Sequence, residues 1–204
     1  ILDFILLKLS IIILIMFIFK KKYFFIIESI KDINLKNIKN FGKYSIIYRN
    51  NSPENIDKLK KFRLKCKIKR IPFFVANNIN LIEALKADGL YISAYNKKLI
   101  SNYLRRNFKI IGSAHNIKEI NLKKLQGCTE IILSRLFKTS YKNKKDFLGV
   151  IKFNLLSKLM NTTLTPLGGI NLKNLNNLKN INCENVAMSS FIKEKSHQIQ
   201  CYLK

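Results

Sequence analysis

A chain of 204 residues, 48% apolar with seven glycines and three prolines, suits one folded domain with a sizeable core and excludes a disordered or collagen-like polymer. The formal net charge of +26 invites a nucleic-acid reading, yet 32 of the 38 basic residues are Lys, whereas Arg is the side chain that grips bases and phosphates bidentately. The expectation is a solvated lysine surface that attracts anions in general, with no specific nucleic-acid partner.

Residues 1–22 form an apolar N-terminal extension, broken by Asp3 and Lys8 and closed by Lys20, Lys21 and Lys22. Its apolar stretch, with a lysine inside it, falls short of the ~20 residues that cross a bilayer. Three readings stay open: sequence upstream of a start at Met16, a reverse signal anchor, or an extra packing helix. A membrane partner is expected only if the extension is genuine. Cys66, Cys128, Cys183 and Cys201 form no C-x-x-C pair and have no ligand-like spacing with His115 or His197. They read as reduced thiols in a cytoplasmic protein, with no zinc site.

Residues 23–204 alternate short apolar runs with longer amphipathic ones, the pattern of βα units around a parallel sheet. The runs are 23–27, 44–48, 72–75, 89–92, 109–112, 130–133, 162–167 and 185–188. Helices are expected between them. The first, over 53–65, opens on Ser52-Pro53-Glu54 and turns Ile56, Leu59 and Leu64 inward. Others are expected over 79–86, 116–125 and 147–160. Eight such units close as a compact (β/α)8 TIM barrel, a single α/β domain. An open doubly wound sheet is the runner-up, but no strand leads into G-x-G-x-x-G or a P-loop.

In a barrel of this kind ligands sit at the C-terminal strand ends. The residues there, in order, are Glu28, Arg49, Asn77 and Asn78, Tyr91 and Ser93, Ser113 and His115, 138–142, Gly168 and Gly169, and Ser189 and Ser190. This ring holds no aspartate and suits an anion. Gly168-Gly169 lets the backbone approach a ligand closely and should precede a helix with unpaired N–H groups. Lys142 adds charge, and the Thr139 and Ser113 hydroxyls add donors. Imidazole can both take and give a proton near neutrality, which makes His115 an acid/base candidate; it could equally hydrogen-bond at the start of a helix.

Five segments carry a resemblance. IPFFVANNINLIEALKADGLYIS is similar to P-x-x-x-N-D-R-x-D-x-A…A-D-G-V-H-x-G-Q-x-D, and IIGSAHN to G-x-S-x-H. GCTEIILSRLFKTSYK is similar to G-A-D-Y…G-x-x-F-x-T-x-x-K, and TPLGGI and NVAMSSFI to A-I-G-G-I and G-V-A-v-x-S-A-I. In this order, over residues 23 to about 192, they resemble the thiamine-phosphate synthase/TenI family. The resemblance implies a phosphate held by Thr139, Lys142, Ser113 and Gly169, with Gly168, Ser189 and Ser190 beside them. It implies Arg49 and His115 facing the reacting ring, and Asn77 and Tyr91 lining the ring pocket. It also implies departures. The family's two magnesium-binding aspartates are Asn77 and Asn96 here, its pyrimidine-contacting Q-x-R-x-K is Ile47, Arg49 and Asn51, its Asn before the first aspartate is Ala76, and its strand-four His is Tyr91.

Magnesium favours anionic oxygens, so the expectation is no metal and no cofactor, with Mg2+ needed only on the synthase reading. The partner expected is a small phosphorylated heterocycle, a thiazole phosphate. Three functions follow from the resemblance: a diverged synthase (a transferase joining thiazole phosphate to a pyrimidine diphosphate), a metal-free TenI-like thiazole tautomerase with His115 as acid/base, or a non-catalytic phosphate-ligand binder. The sequence leaves the oligomeric state open.

Overall fold

The computed structural model describes residues 21–38, 42–50, 52, 54–99, 108–139, 146–171 and 173–189. Eight parallel strands pair in sequence order and close on one another: β1 (Lys22–Ile27), β2 (Tyr44–Tyr48), β3 (Phe73–Ala76), β4 (Gly89–Ile92), β5 (Lys109–Ala114), β6 (Glu130–Ser134), β7 (Thr163–Leu167) and β8 (Asn185–Met188). The strands read as unbroken apolar runs because both faces are covered. One face packs Phe24, Ile26, Ile47, Phe74, Tyr91, Ile111, Ile132 and Ala187 into the barrel interior. Residues of opposite parity, such as Phe25, Ile46, Phe73 and Leu133, pack outward in the larger core cluster. The expected barrel is therefore the observed fold, with each strand within two residues of its expected bounds.

Four α-helices are described: α1 (Ile56–Ile68), α2 (Ile79–Leu85), α3 (Ile117–Leu125) and α4 (Gly149–Leu159). Three start on asparagine caps that satisfy otherwise unpaired N–H groups. Asn55 Oδ1 accepts from Asp57 N at 2.9 Å, Asn78 Oδ1 from Leu81 N at 3.0 Å and Asn116 Oδ1 from Glu119 N at 2.9 Å. Two expectations need correction. Of the three α1 residues expected inward, only Leu59 is buried; Ile56 and Leu64 are 38% and 58% exposed, and Phe62, Arg63 and Cys66 fill the face instead. The helix expected after Gly168-Gly169 is a six-residue 3-10 turn, Leu175–Asn180, and β1 likewise leads to β2 through 3-10 turns.

The strand starts carry a polar stopper. Glu130, 2% exposed, accepts from Thr165 Oγ1 and Asn185 Nδ2 at 2.6 Å each and from Lys109 Nζ at 2.8 Å. Lys109 Nζ also lies 5.8 Å from the Phe24 ring centroid. Asp88, of the Ala-Asp-Gly segment, binds the buried Arg63 guanidinium at 2.8 Å and accepts from Phe73 N at 2.7 Å, tying α1 to β3. Among the described residues no helix is long and apolar enough to cross a membrane.

Candidate functional site

Side chains alternate along a strand, so residues two beyond an interior position project into the barrel mouth. By that parity Glu28, Arg49, Ser93, Ser113, Ser134 and Ser189 follow Ile26, Ile47, Tyr91, Ile111, Ile132 and Ala187. The expected polar ring thus falls on one end of the barrel, where it divides into four local groups.

The first group holds two of the expected phosphate elements together. Gly168 and Gly169 both have positive φ, 102° and 70°. A Cβ on Gly169 would sit 2.5 Å from the carbonyl oxygens of both Phe137 and Lys138, so only glycine lets this turn lie against the segment leading to Thr139. Leu136 N donates to Leu167 O at 2.9 Å and Phe137 N to Gly168 O at 3.0 Å, fastening the two connections. Among the described residues Thr139 Oγ1 is buried with no hydrogen-bond partner. A buried hydroxyl left unpaired is a cost that a ligand oxygen would remove. Leu167 pairs with Ala187, so the turn that follows β7 and Ser189 after β8 leave neighbouring strand ends. Lys142 and Ser190 lie outside the described residues, as do Asn51 and Pro53.

Ser113 belongs to a second group. It is 7% exposed and lies beside the Tyr91 hydroxyl, which also feels the Arg49 guanidinium. Arg49 Nη2 in turn lies 3.5 Å from Glu28 Oε1. Burial pushes the Tyr91 hydroxyl pKa up, and the Ser113 hydroxyl and the Arg49 charge pull the other way. Tyr91, expected to line a ring pocket, is 1% exposed and packs inside the barrel with its polar tip toward the mouth.

His115 anchors a third group. Its Nδ1 lies 2.9 Å from Ser134 Oγ and 3.2 Å from Ser134 O. Its backbone N–H donates to Glu119 Oε2 at 2.8 Å, completing the α3 cap, so the helix-start role and the mouth-facing ring coexist. A cavity of about 440 Å³ is lined by His115, Ser134, Arg135, Asp146, Phe147 and Lys152. Arg135 and Lys152 were not singled out in the sequence; the charged residue within an otherwise apolar strand-end run was the available signal.

Asn77 and Asn96 make the fourth group, and they do meet. Asn77, at φ 55°, accepts through Oδ1 from Ser93 N at 3.0 Å and from Asn96 Nδ2 at 3.1 Å. Its Nδ2 donates to Ser93 Oγ and, at 2.9 Å, to Tyr95 OH. Asn96 Oδ1 accepts from Lys98 N at 3.1 Å. Both amide oxygens are neutral and already engaged, so this pair does not fit a magnesium ion, which wants anionic oxygens in octahedral order.

Comparison with known proteins fits this geometry. The family described as thiamine monophosphate synthase matches residues 28–192. A thiamine-phosphate synthase of Prochlorococcus marinus subsp. pastoris is 35% identical over 128 residues, 61% of this chain and 36% of that protein. One from Fusobacterium nucleatum is 29% identical over 136 residues, 64% of this chain and 65% of its own length. The chain thus spans about a third to two-thirds of these relatives. Among solved structures, the thiamine phosphate pyrophosphorylase of Pyrococcus furiosus superposes with a TM-score of 0.72 at 17% identity, covering 90% of this chain and 93% of that one. That likeness speaks for the barrel. The family match runs from the end of β1 to just beyond β8 and takes in all four groups at the mouth, so the chain belongs to the thiamine monophosphate synthase family.

Proposed function

We propose that this barrel binds a phosphorylated thiazole at its mouth without magnesium and moves a proton on it, with His115 as the acid/base group. The buried, unpartnered Thr139 hydroxyl beside the Gly168-Gly169 turn carries the reading, because it is a donor held ready where a phosphate oxygen would lie. Backbone N–H groups of the turn complete the clamp, and the family resemblance assigns Lys142 and Ser189 to it as further donors. The Ser134 contacts engage His115 Nδ1, so Nε2 is the atom that exchanges a proton with the ring. Arg49, half-exposed at the mouth, faces the anionic edge of the ligand. The neutral Asn77–Asn96 pair favours proton transfer over displacement of diphosphate, a leaving group whose charge a metal ordinarily offsets.

A second reading, a diverged synthase, draws on the relatives, which are thiamine-phosphate synthases. Incubation with thiazole phosphate and pyrimidine diphosphate, with and without Mg2+, beside a tautomerase assay separates the two. Metal-dependent thiamine phosphate formation, abolished by Asn77→Ala, would overturn the first. The phosphate site has its own test. Thr139→Val removes the hydroxyl at constant shape, so it should leave stability unchanged or slightly raised. Calorimetry should show affinity for thiazole phosphate reduced by about 1.5–3 kcal/mol, the worth of a hydrogen bond to a charged group. Unchanged affinity would remove Thr139 from the site.

A further inference from the structure

Beneath the loop that follows β4 lies a buried charge. Lys123, on α3, is fully buried, and its ammonium donates to Ser93 O, Asn96 O and Gln126 Oε1, each at 2.8 Å. Three acceptors match the three hydrogens of a protonated amine; a neutral amine would leave one acceptor unmet. Burial pushes the Lys123 pKa down, while Cys128 and Glu119 pull it up. Gln126, one turn along α3, adds bonds from Nε2 to Asn96 O at 3.0 Å and Lys98 O at 2.7 Å.

Room for this side chain comes from β5. A Cβ on Gly112 would lie 2.9 Å from Lys123 Cγ and 3.0 Å from its Cβ. On its other side the loop meets Asn77, whose Oδ1 accepts from Ser93 N and Asn96 Nδ2. The residues gripped by the ammonium through their carbonyls are therefore the ones that hold Asn77. Burying an ammonium is unfavourable unless its partners are fixed, so the charge and the loop's shape depend on each other.

We propose that Lys123 is a positioning residue: a tethered cation that orders the loop over residues 93–98 and so sets the Asn77–Asn96 side of the mouth, a task that a bound divalent ion could perform if carboxylates stood at 77 and 96. This rests on the metal-free reading above, but its test uses no thiazole. Hydrogen–deuterium exchange of the amides of 94–98 is followed in the wild-type chain, in Lys123→Met, in Gln126→Leu and in Lys123→Met/Asn77→Asp/Asn96→Asp, with and without millimolar Mg2+.

Lys123→Met should speed exchange in the loop at least ~10-fold while β6 and β7 stay protected. Gln126→Leu, which keeps the ammonium, should loosen the loop less. Mg2+ should slow loop exchange in the triple variant and have no effect on the wild type or Lys123→Met; a packing role alone would give no such metal rescue. Wild-type protection in Lys123→Met, equal loosening in Gln126→Leu, or no Mg2+ effect in the triple variant would each overturn the proposal. If Lys123→Met does not fold, Lys123→Gln in the same backgrounds gives the same comparison. Failure of thiazole phosphate to bind in calorimetry would count against the proposed ligand and leave these outcomes readable.

Discussion

Glu130 is a tightly constrained charge at the strand starts of the barrel. Its two oxygens take three donors, two of them from buried residues that have no water to turn to. Glu130→Ala should therefore cost about 2–4 kcal/mol in urea denaturation, mainly from the stranded Thr165 and Asn185 groups. The Lys109 share is small because its side chain is 47% exposed and screened by solvent. Lys109→Met should accordingly cost under about 1 kcal/mol; comparable losses in the two variants would mean the Coulomb term dominates. None of this was legible in sequence, where Glu130 and Lys109 read only as the first residues of apolar runs. Their partners lie 35, 55 and 21 positions away, and nothing local encodes such a meeting. Asp88 was legible only as part of a motif; its work is to hold Arg63 and Phe73 at the end of the barrel away from the mouth. By contrast Asn77 and Asn96 were expected to stand together, and they do.

Strands were readable because a segment buried on both faces must be apolar throughout, whatever its neighbours. Helix positions were readable too, from apolar spacing between the strands and, for the first, from Ser52-Pro53-Glu54; in the structure three of the four then begin on asparagine. Helix faces were not. In a chain crowded with Ile, Leu and Lys, apolar residues occur all round α1, and periodicity loses its meaning: Leu64 and Ile68 are exposed while Arg63 is buried through its bonds to Lys86 O and Asp88. Phe62→Ala should cost about 3–5 kcal/mol in chemical denaturation, as for a large aromatic lost from a core. Leu64→Lys should stay within about 0.5 kcal/mol. The reverse order would restore the face expected from sequence. The 3-10 turn before β8 was missed because its Asn-Leu-Lys pattern supports helix and turn alike.

For the molecule as a whole, buried acids govern the response to alkali. Burial pushes the Cys66, Cys128 and Tyr44 pKa values up to about 12, and Tyr23 and Tyr48 higher still. The folded chain keeps these protons at pH values where the unfolded chain has released them. Their stabilisation is complete below the ordinary thiol and phenol range and is lost as pH rises through it toward about 12. Lys43 and Lys123 act in the opposite sense, since their lowered pKa values make folding less proton-binding there, but with Tyr91 and Cys183 also pushed up they are two groups against seven. The urea midpoint should fall between about pH 8 and pH 11; a midpoint that holds or rises would mean these groups reach solvent in the folded state.

With Glu130 and Lys109 corking one end and apolar side chains such as Phe24, Ile47 and Ile132 filling the shaft, the opposite end, where Arg49 and His115 lie, is the way into the barrel so far as the described residues go. Whatever enters must leave by the same route. On the proposed proton-transfer reading, substrate and product then exclude one another, so added product should raise KM for substrate while leaving kcat untouched.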